Sequence, residues 1–468
     1  MADLEGPFWH ADAFVYSRRV TVDRARLRSL LAAERERFRS RHPRSRELFE
    51  RAGASLLGGV PMNWMVRSPG DFPIFVDEAS GAHFTDVDGH RYLDLCLGDT
   101  GAMTGHAPAP AVEAIAERAR RGVTFMLPTE DAIWVGEELS RRFGLPSWQM
   151  ALTATDANRF AIRLARHVTR RPRILVFDWC YHGSVDETFI TLRDGVPGPR
   201  SGNLGPPVDP AVTTRVVEFN DVDALEAALA ARDVACVLAE PAMTNIGIVH
   251  PAPGFHEALR EATRRTGTLL ILDETHTICA GPGGYTRAHG LEPDVLTLGK
   301  PIAGGVPAAV YGLSAELAER VRRSIRPEES DTGGIGGTLA GNALSLAAMR
   351  ATLAHVLTED AYARTIPLAK RFADGVERVL AAHRLPWHVT RLGCRAEYWF
   401  SPTPPRNGAE AAASVDAELD RYMHLAALNR GILLTPFHNM ALICPQTSEE
   451  DIDLHTRVFE ESVDPLLA

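Results

Sequence analysis

Lysine is nearly missing from this sequence. Of 468 residues, 50 are lysine or arginine, and only Lys300 and Lys370 are lysine. Arginine carries charge, pairs with carboxylates and covers surface as well as lysine does, but its guanidinium stays protonated and cannot condense with an aldehyde. No apolar run reaches the roughly 20 residues that cross a bilayer, which argues against a membrane-spanning helix. The start, Met1-Ala-Asp-Leu-Glu-Gly-Pro7, lacks the basic flank and apolar core of an export leader, so a cytoplasmic setting is expected. The six cysteines, Cys96, Cys180, Cys236, Cys279, Cys394 and Cys444, show no CxxC spacing. Neither a zinc site nor a disulfide framework is indicated, and buried reduced thiols are the simpler reading. A net charge of −10 argues against nucleic acid as the main partner.

What the chain does contain is ample apolar content and more length than one typical domain needs. Residues 14 to 52 are arginine-rich at helical spacing and read as one or two surface helices with a solvated face. The stretch from Pro73 to Leu95 alternates around Ser80-Gly81 and Asp88-Gly89, which predicts a small antiparallel meander. From about residue 149, short apolar runs (Met150-Ala-Leu-Thr, Ile174-Leu-Val-Phe, Arg215-Val-Val, Cys236-Val-Leu-Ala, Leu269-Leu-Ile-Leu, Val295-Leu-Thr-Leu, Ala309-Val-Tyr-Gly-Leu) alternate with amphipathic stretches. That order predicts a mostly parallel sheet covered by helices, with ligands at the carboxyl ends of its strands. Four stretches are expected: a helical segment and substrate loop over 1–75, a meander of a small domain over 76–105, a large domain over 106–340 and a C-terminal small domain over 341–468.

The two lysines sit differently. Lys370 falls between Leu368, Phe372, Val376 and Leu380 on a helical pattern, on the solvated side. Lys300 ends an apolar run and enters the turn Pro301-Ile-Ala-Gly-Gly305, a place where function concentrates. The preceding run closes on Asp273-Glu274. A lysine to hold an aldehyde and a carboxylate to keep a ring nitrogen protonated are what pyridoxal phosphate chemistry requires.

Other segments fit the same cofactor. Thr153-Ala154-Thr155-Asp156-Ala157-Asn158 lies between a strand and a helix and suits a phosphate; an ordinary cap by Thr155 or Asp156 is the competing reading. Tyr181, in Trp179-Cys180-Tyr181-His182-Gly183, is either a ring-covering aromatic or a core tyrosine. Asp331-Thr-Gly-Gly-Ile-Gly-Gly337-Thr338-Leu-Ala-Gly341-Asn342 is a second glycine-rich, hydroxyl-bearing loop suited to an anion.

These residues, with Phe84-Thr-Asp-Val-Asp-Gly-His-Arg-Tyr-Leu-Asp94 and Gly337-Thr-Leu-Ala-Gly-Asn342, resemble the class III aminotransferases of the fold type I pyridoxal phosphate enzymes. The resemblance is to the branch of glutamate semialdehyde aminomutase and the β-amino acid and amine transaminases, over roughly residues 55 to 465. It implies an α/β fold with a large, mostly parallel sheet flanked by helices and a smaller α+β domain. It implies that Lys300 holds the cofactor as a Schiff base, that Asp273 pairs with the ring nitrogen and that Tyr181 stacks on the ring. Ala154 and Thr155 would bind the phosphate, Thr338 would reach the phosphate of a neighbouring subunit in a homodimer with shared sites, and Glu240 would lie near the phenolic oxygen, though strand-end packing also explains it.

The chain also departs from that family. Thr153-Ala154-Thr155-Asp156-Ala157 stands where Ser-Gly-Thr-Glu-Ala is usual. Thr275 replaces a valine against the ring and is followed by His276, read either as a proton-transfer group or as a satisfied core histidine. No arginine occurs in Leu434-Thr-Pro-Phe437-His438-Asn439-Met440. Arg67, in Pro61-Met-Asn-Trp64-Met65-Val-Arg67, falls where the local alignment slips. Arg395 is a replacement carboxylate contact or a surface or salt-bridged arginine. Trp64, Met65 and Phe437, with His438 beside them, suggest a large apolar pocket. The expected activity is transfer of an amino group from an amine or β-amino acid with an apolar or aromatic side to a keto acid. The alternatives are an aminomutase or racemase on the same scaffold and, more remotely, a silent cofactor-binding protein.

Overall fold

The computed structural model describes residues 22–206, 208–325 and 334–467. All seven apolar runs become strands of one sheet: β1 (Ser147–Ala151), β2 (Arg173–Phe177), β3 (Thr214–Val217), β4 (Val234–Ala239), β5 (Leu269–Asp273), β6 (Val295–Leu298) and β7 (Ala309–Leu313). Their spatial order is β1-β7-β6-β5-β4-β2-β3. Only β7 runs against its neighbours; the other pairs are parallel, the mostly parallel sheet that the alternation predicts.

The runs are apolar throughout because both faces are covered. Successive residues of β4 show it: Cys236 and Leu238 join a cluster with Ala157, Ala161 and Ala165 of the helix Ala154–Thr169. Val237 and Ala239 join another with Leu225, Leu229, Phe255 and Leu259, from the helices Val222–Leu229 and Phe255–Thr266. Side chains alternate across a strand, so a strand sandwiched by helices must be apolar at every position.

The predicted meander forms from Val76–Ser80, His83–Asp86 and Arg91–Asp94. A short strand from the far end of the chain, Ile432–Leu433, pairs parallel with its last member. A third sheet joins His388–Leu392, Arg395–Trp399 and Met440–Leu442. The helix Arg24–Arg41 is less solvated than its arginines suggest. Leu27, Leu31 and Phe38 are buried, and buried Glu34 accepts from Asn429 Nδ2 at 2.7 Å. Residues 14–21 of the arginine-rich stretch lie outside the described residues. Lys370 is exposed on the helix Glu359–His383 and pairs with Asp374, one turn on, at 2.6 Å. All six cysteines are buried and unpaired, and no described helix is long and apolar enough to cross a membrane.

One turn fastens the third sheet to the short helix Thr277–Ala280 that follows β5. Cys394 N donates to Cys279 O at 3.0 Å, and Gly393 sits at φ +57°, where a Cβ would lie 2.0 Å from that same oxygen. Left-handed backbone and zero clearance both demand glycine. Gly393→Ala is therefore expected to cost about 2–4 kcal/mol, in the range of severe backbone and packing lesions. Denaturant unfolding measures it, and an unshifted midpoint would mean that this turn does not fasten the third sheet to that helix.

Candidate active site

Parallel pairing of β5 with β6, with Asp273 opposite Thr297, ends both strands at one edge of the sheet. Asp273 is buried there. Its Oδ1 accepts from Thr275 N at 3.1 Å. Its Oδ2 accepts from Asn158 Nδ2 at 2.8 Å and His182 Nδ1 at 2.9 Å. Thr297 Oγ1 donates in turn to Asn158 Oδ1 at 2.6 Å. Burial alone would raise the Asp273 pKa, but the bond and charge of His182, with the Thr275 and Asn158 bonds, bring it down to about 2. Burial opposes the charge on His182 in the same way, yet neighbouring Cys180 and the bond to Asp273 raise its pKa to about 10. The result is a fixed carboxylate anion at neutral pH, backed by an imidazolium.

The helix Ala154–Thr169 begins beside it. Its cap is Thr153, whose Oγ1 accepts from Asp156 N at 3.1 Å, rather than Thr155 or Asp156 as the composition of the segment suggests. Ala157 N is taken by Thr153 O. Among the described residues the amides of Ala154 and Thr155 donate to nothing, and the first-turn amides of a helix need an outside acceptor. Thr155 Oγ1 accepts from Ser184 N at 3.0 Å. Gly183 passes so close that a Cβ would lie 2.1 Å from that hydroxyl. Two open amides at the positive end of a four-turn helix, with a hydroxyl beside them, form a cradle for a phosphate dianion.

Lys300 leaves β6 in a left-handed conformation, φ +53°. Its Nζ donates to Asp99 O at 2.8 Å, Asp99 Oδ2 at 2.9 Å and His276 Nε2 at 2.7 Å. Asp99 lies in four consecutive left-handed residues, Leu97, Gly98, Asp99 and Thr100, where each non-glycine costs roughly 1–2 kcal/mol. Strain of that order is kept where it places a functional group. Although burial opposes it, the Lys300 ammonium holds the Asp99 carboxyl far below the usual range. Burial, and then the same ammonium, push His276 well below an ordinary imidazole.

Tyr181 is half open, 40% exposed, and meets Phe189 edge-on at 6.3 Å. Around the Asp273 anion, His182 Nε2, Thr275 Oγ1 and Glu240 Oε1 are buried with no hydrogen-bond partner among the described residues. Glu240 Oε2 accepts from Thr244, and burial lifts its pKa to about 7. Orphaned polar atoms next to an anion and an anion cradle fit a polar, ring-bearing phosphate.

The residues expected to form an apolar pocket meet a cation there. Trp64 meets Phe437 edge-on at 6.2 Å, the Arg67 guanidinium lies 5.9 Å over the Phe437 ring, and Trp64 and Met65 are both about two-fifths exposed. His438 faces Glu397, Nδ1 to Oε1 at 3.6 Å. Arg395 is not on the surface and, among the described residues, is not salt-bridged: it is fully buried, with Nη1 on Met440 Sδ at 3.0 Å and Nη2 on Thr100 Oγ1. Thr338 is exposed on its loop, of which residues 331–333 lie outside the described residues. Asp99, Thr100, Asn158 and the bonding role of His182 escaped the sequence reading. The cluster Gly98-Asp99-Thr100-Gly101 after a predicted strand, and a histidine next to Tyr181, were the available signals.

A family model described as Aminotransferase class-III matches residues 65–462. The chain is 37% identical over 426 residues to a glutamate-1-semialdehyde 2,1-aminomutase of Sorangium cellulosum, covering 88% of this chain and 94% of that protein. A solved glutamate-1-semialdehyde-aminomutase from Pseudomonas aeruginosa PAO1 is 54% identical, with a TM-score of 0.93 over 95% of this chain and all of that one. A lysine-to-alanine variant of it is described in complex with PMP. An omega-transaminase from Sphaerobacter thermophilus is more distant, 29% identical with a TM-score of 0.83 over 91% of this chain and 98% of that one.

The cofactor is pyridoxal 5'-phosphate, and the protein is an enzyme that works with it. The expected transaminase of apolar amines is overturned, because the relatives at 37% and 54% identity are aminomutases. The misreading took the substrate from the apolar type of Trp64, Met65 and Phe437 alone, whereas the Arg67 guanidinium lies over the Phe437 ring, which Trp64 meets edge-on.

Asp273→Asn replaces two acceptor oxygens by one and removes the charge, leaving at least one of three buried donors without its partner. Affinity of the apoprotein for pyridoxal phosphate is expected to fall at least about tenfold, the equivalent of roughly 1.4 kcal/mol. Equilibrium dialysis measures it. Unchanged affinity would separate Asp273 from the cofactor.

Proposed function

We propose, from the premise that this chain belongs to the class-III aminotransferase family, that it is an aminomutase. It moves an amino group between adjacent carbons of one small amino aldehyde of the glutamate-1-semialdehyde type and needs no external keto acid. The observation that carries this reading is the 54% identity, over 95% of the chain, to a protein described as having that activity.

When bound, pyridoxal phosphate supplies a carbonyl that exchanges amino groups and a ring that withdraws electrons from the carbon losing its proton. The rest is the work of this chain. Lys300 is read as the cofactor-bearing residue; released, its Nζ takes a proton from one substrate carbon and returns it to the neighbouring one. Asp273, held ionised by His182, Asn158 and Thr275, keeps the ring nitrogen protonated. The open amides of Ala154 and Thr155, with the Thr155 hydroxyl, take the phosphate. Tyr181 covers one face, and Thr275 and Glu240 offer their unpartnered oxygens to the ring's polar edge. Arg67, beside Phe437, is the guanidinium assigned to the substrate carboxylate, for which a planar fork is suited.

The site is read as completed in a homodimer. Phe125, Met126, Leu127, Ile133 and Leu339 are exposed apolar side chains, and Leu339 adjoins Thr338, which in this arrangement reaches the partner's phosphate. Apolar groups of that size on a surface mark an interface. The six unpaired thiols suit a reducing, cytoplasmic setting.

Purified holoprotein given glutamate-1-semialdehyde and no keto acid is expected to convert it to the isomer with the amino group on the terminal carbon, followed by chromatography. Lys300→Ala should lose this conversion together with the absorption of covalently held cofactor. Turnover that begins only when a keto acid is added would overturn the aminomutase reading.

A further inference from the structure

We propose that His276 is the acid–base partner of Lys300, the group through which Nζ sheds and regains protons each time the lysine bonds to a carbonyl carbon; this rests on the reading of Lys300 as the cofactor-bearing residue. An ammonium has three donors, and the three of Lys300 go to Asp99 O, Asp99 Oδ2 and His276 Nε2. A backbone carbonyl takes no proton. A carboxylate held between cations is a poor acceptor. The imidazole nitrogen is the remaining partner; burial and the ammonium keep it weakly basic, which suits a group that carries a proton briefly rather than holding it, and at 2.7 Å its contact is also the shortest.

The far side of the ring explains why the proton passes through. Nδ1 lies 2.9 Å from Thr100 Oγ1 and 3.2 Å from Arg395 Nη2. With Lys300 donating to Nε2, the ring hydrogen is on Nδ1 and is donated to Thr100, which also accepts from Arg395. Arg395 is fully buried and, among the described residues, has no carboxylate within ion-pair distance. An unpaired buried guanidinium is costly, so its position against His276 asks for a reason. Its charge opposes a lasting second proton on the ring, and a proton received at Nε2 is handed on. The charged groups facing His276 are Lys300, Asp99, Arg395 and Asp273; the three nearest are its direct contacts or theirs.

When Lys300 attacks an aldehyde, the lone pair freed by proton loss forms the nitrogen–carbon bond. The carbonyl oxygen takes two protons that began on Nζ and leaves as water, and no electron is gained or lost. His276 Nε2 is within reach of both proton transfers. Asp99 holds the nitrogen in place, while the strained run Leu97–Thr100 fixes Asp99 itself.

The test follows attachment of pyridoxal phosphate to the apoprotein by its absorption, across pH, in His276→Gln and His276→Asn. Both amides keep a hydrogen-bond acceptor for Lys300 but cannot carry a proton. Attachment is expected to slow about 100-fold near neutral pH, the low end of general acid–base contributions, to recover with added imidazole or at high pH, and to reach the same final occupancy. Attachment at the unsubstituted rate and pH profile, or a loss that imidazole and high pH do not restore in either variant, would overturn the proposal. Lys300→Ala run alongside separates the levels, since covalent attachment in that variant would sink the reading of Lys300 instead.

Discussion

The register of β5 against β6 is the constraint on which the site depends. Pairing Ile271 with Val295, Leu272 with Leu296 and Asp273 with Thr297 brings two parallel strands to an end at the same edge. The carboxylate that closes one and the lysine that follows the other then stand at that same edge. A slip of one residue would turn every side chain to the opposite face. The buried thread from Thr297 through Asn158 to Asp273 and His182 ties β6, the helix Ala154–Thr169, β5 and the loop after β2 to that register.

Charge is arranged in two buried groups around this edge. In one, Asp273 and His182 hold an anion ready for a ring nitrogen. In the other, Asp99 and His276 hold Lys300 and Arg395 stands behind His276, so the amine is placed and given a proton path together. The phosphate cradle at Ala154 and Thr155 lies with the first group. Electrostatic preorganisation of this kind does not need to reorganise at the moment of reaction.

Much of the fold was legible because it is written locally. Seven apolar runs became seven strands, as a period of two between two helical layers requires, and turn glycines marked the meander. Lys300 stood out by scarcity and Asp273 by following a buried strand. What escaped depends on contacts distant in the chain. Asp99 is 201 residues from Lys300, and nothing local announces that a run of left-handed residues will present it. Arg395 is 295 residues from Thr100, and a buried arginine without a carboxylate runs against the expectation for its residue type. The substrate was misread for a related reason. Trp64, Met65 and Phe437 are apolar by type, but only the fold brings the Arg67 guanidinium over the Phe437 ring.

The account stands most directly on Lys300 being the residue that carries the cofactor. Borohydride reduction of the holoprotein fixes the cofactor to its lysine, and mass analysis of the peptides then identifies which of the two lysines bears it. The account predicts the pyridoxyl group on the peptide containing Lys300 and none on that containing Lys370. Label on Lys370, or on neither, would contradict it.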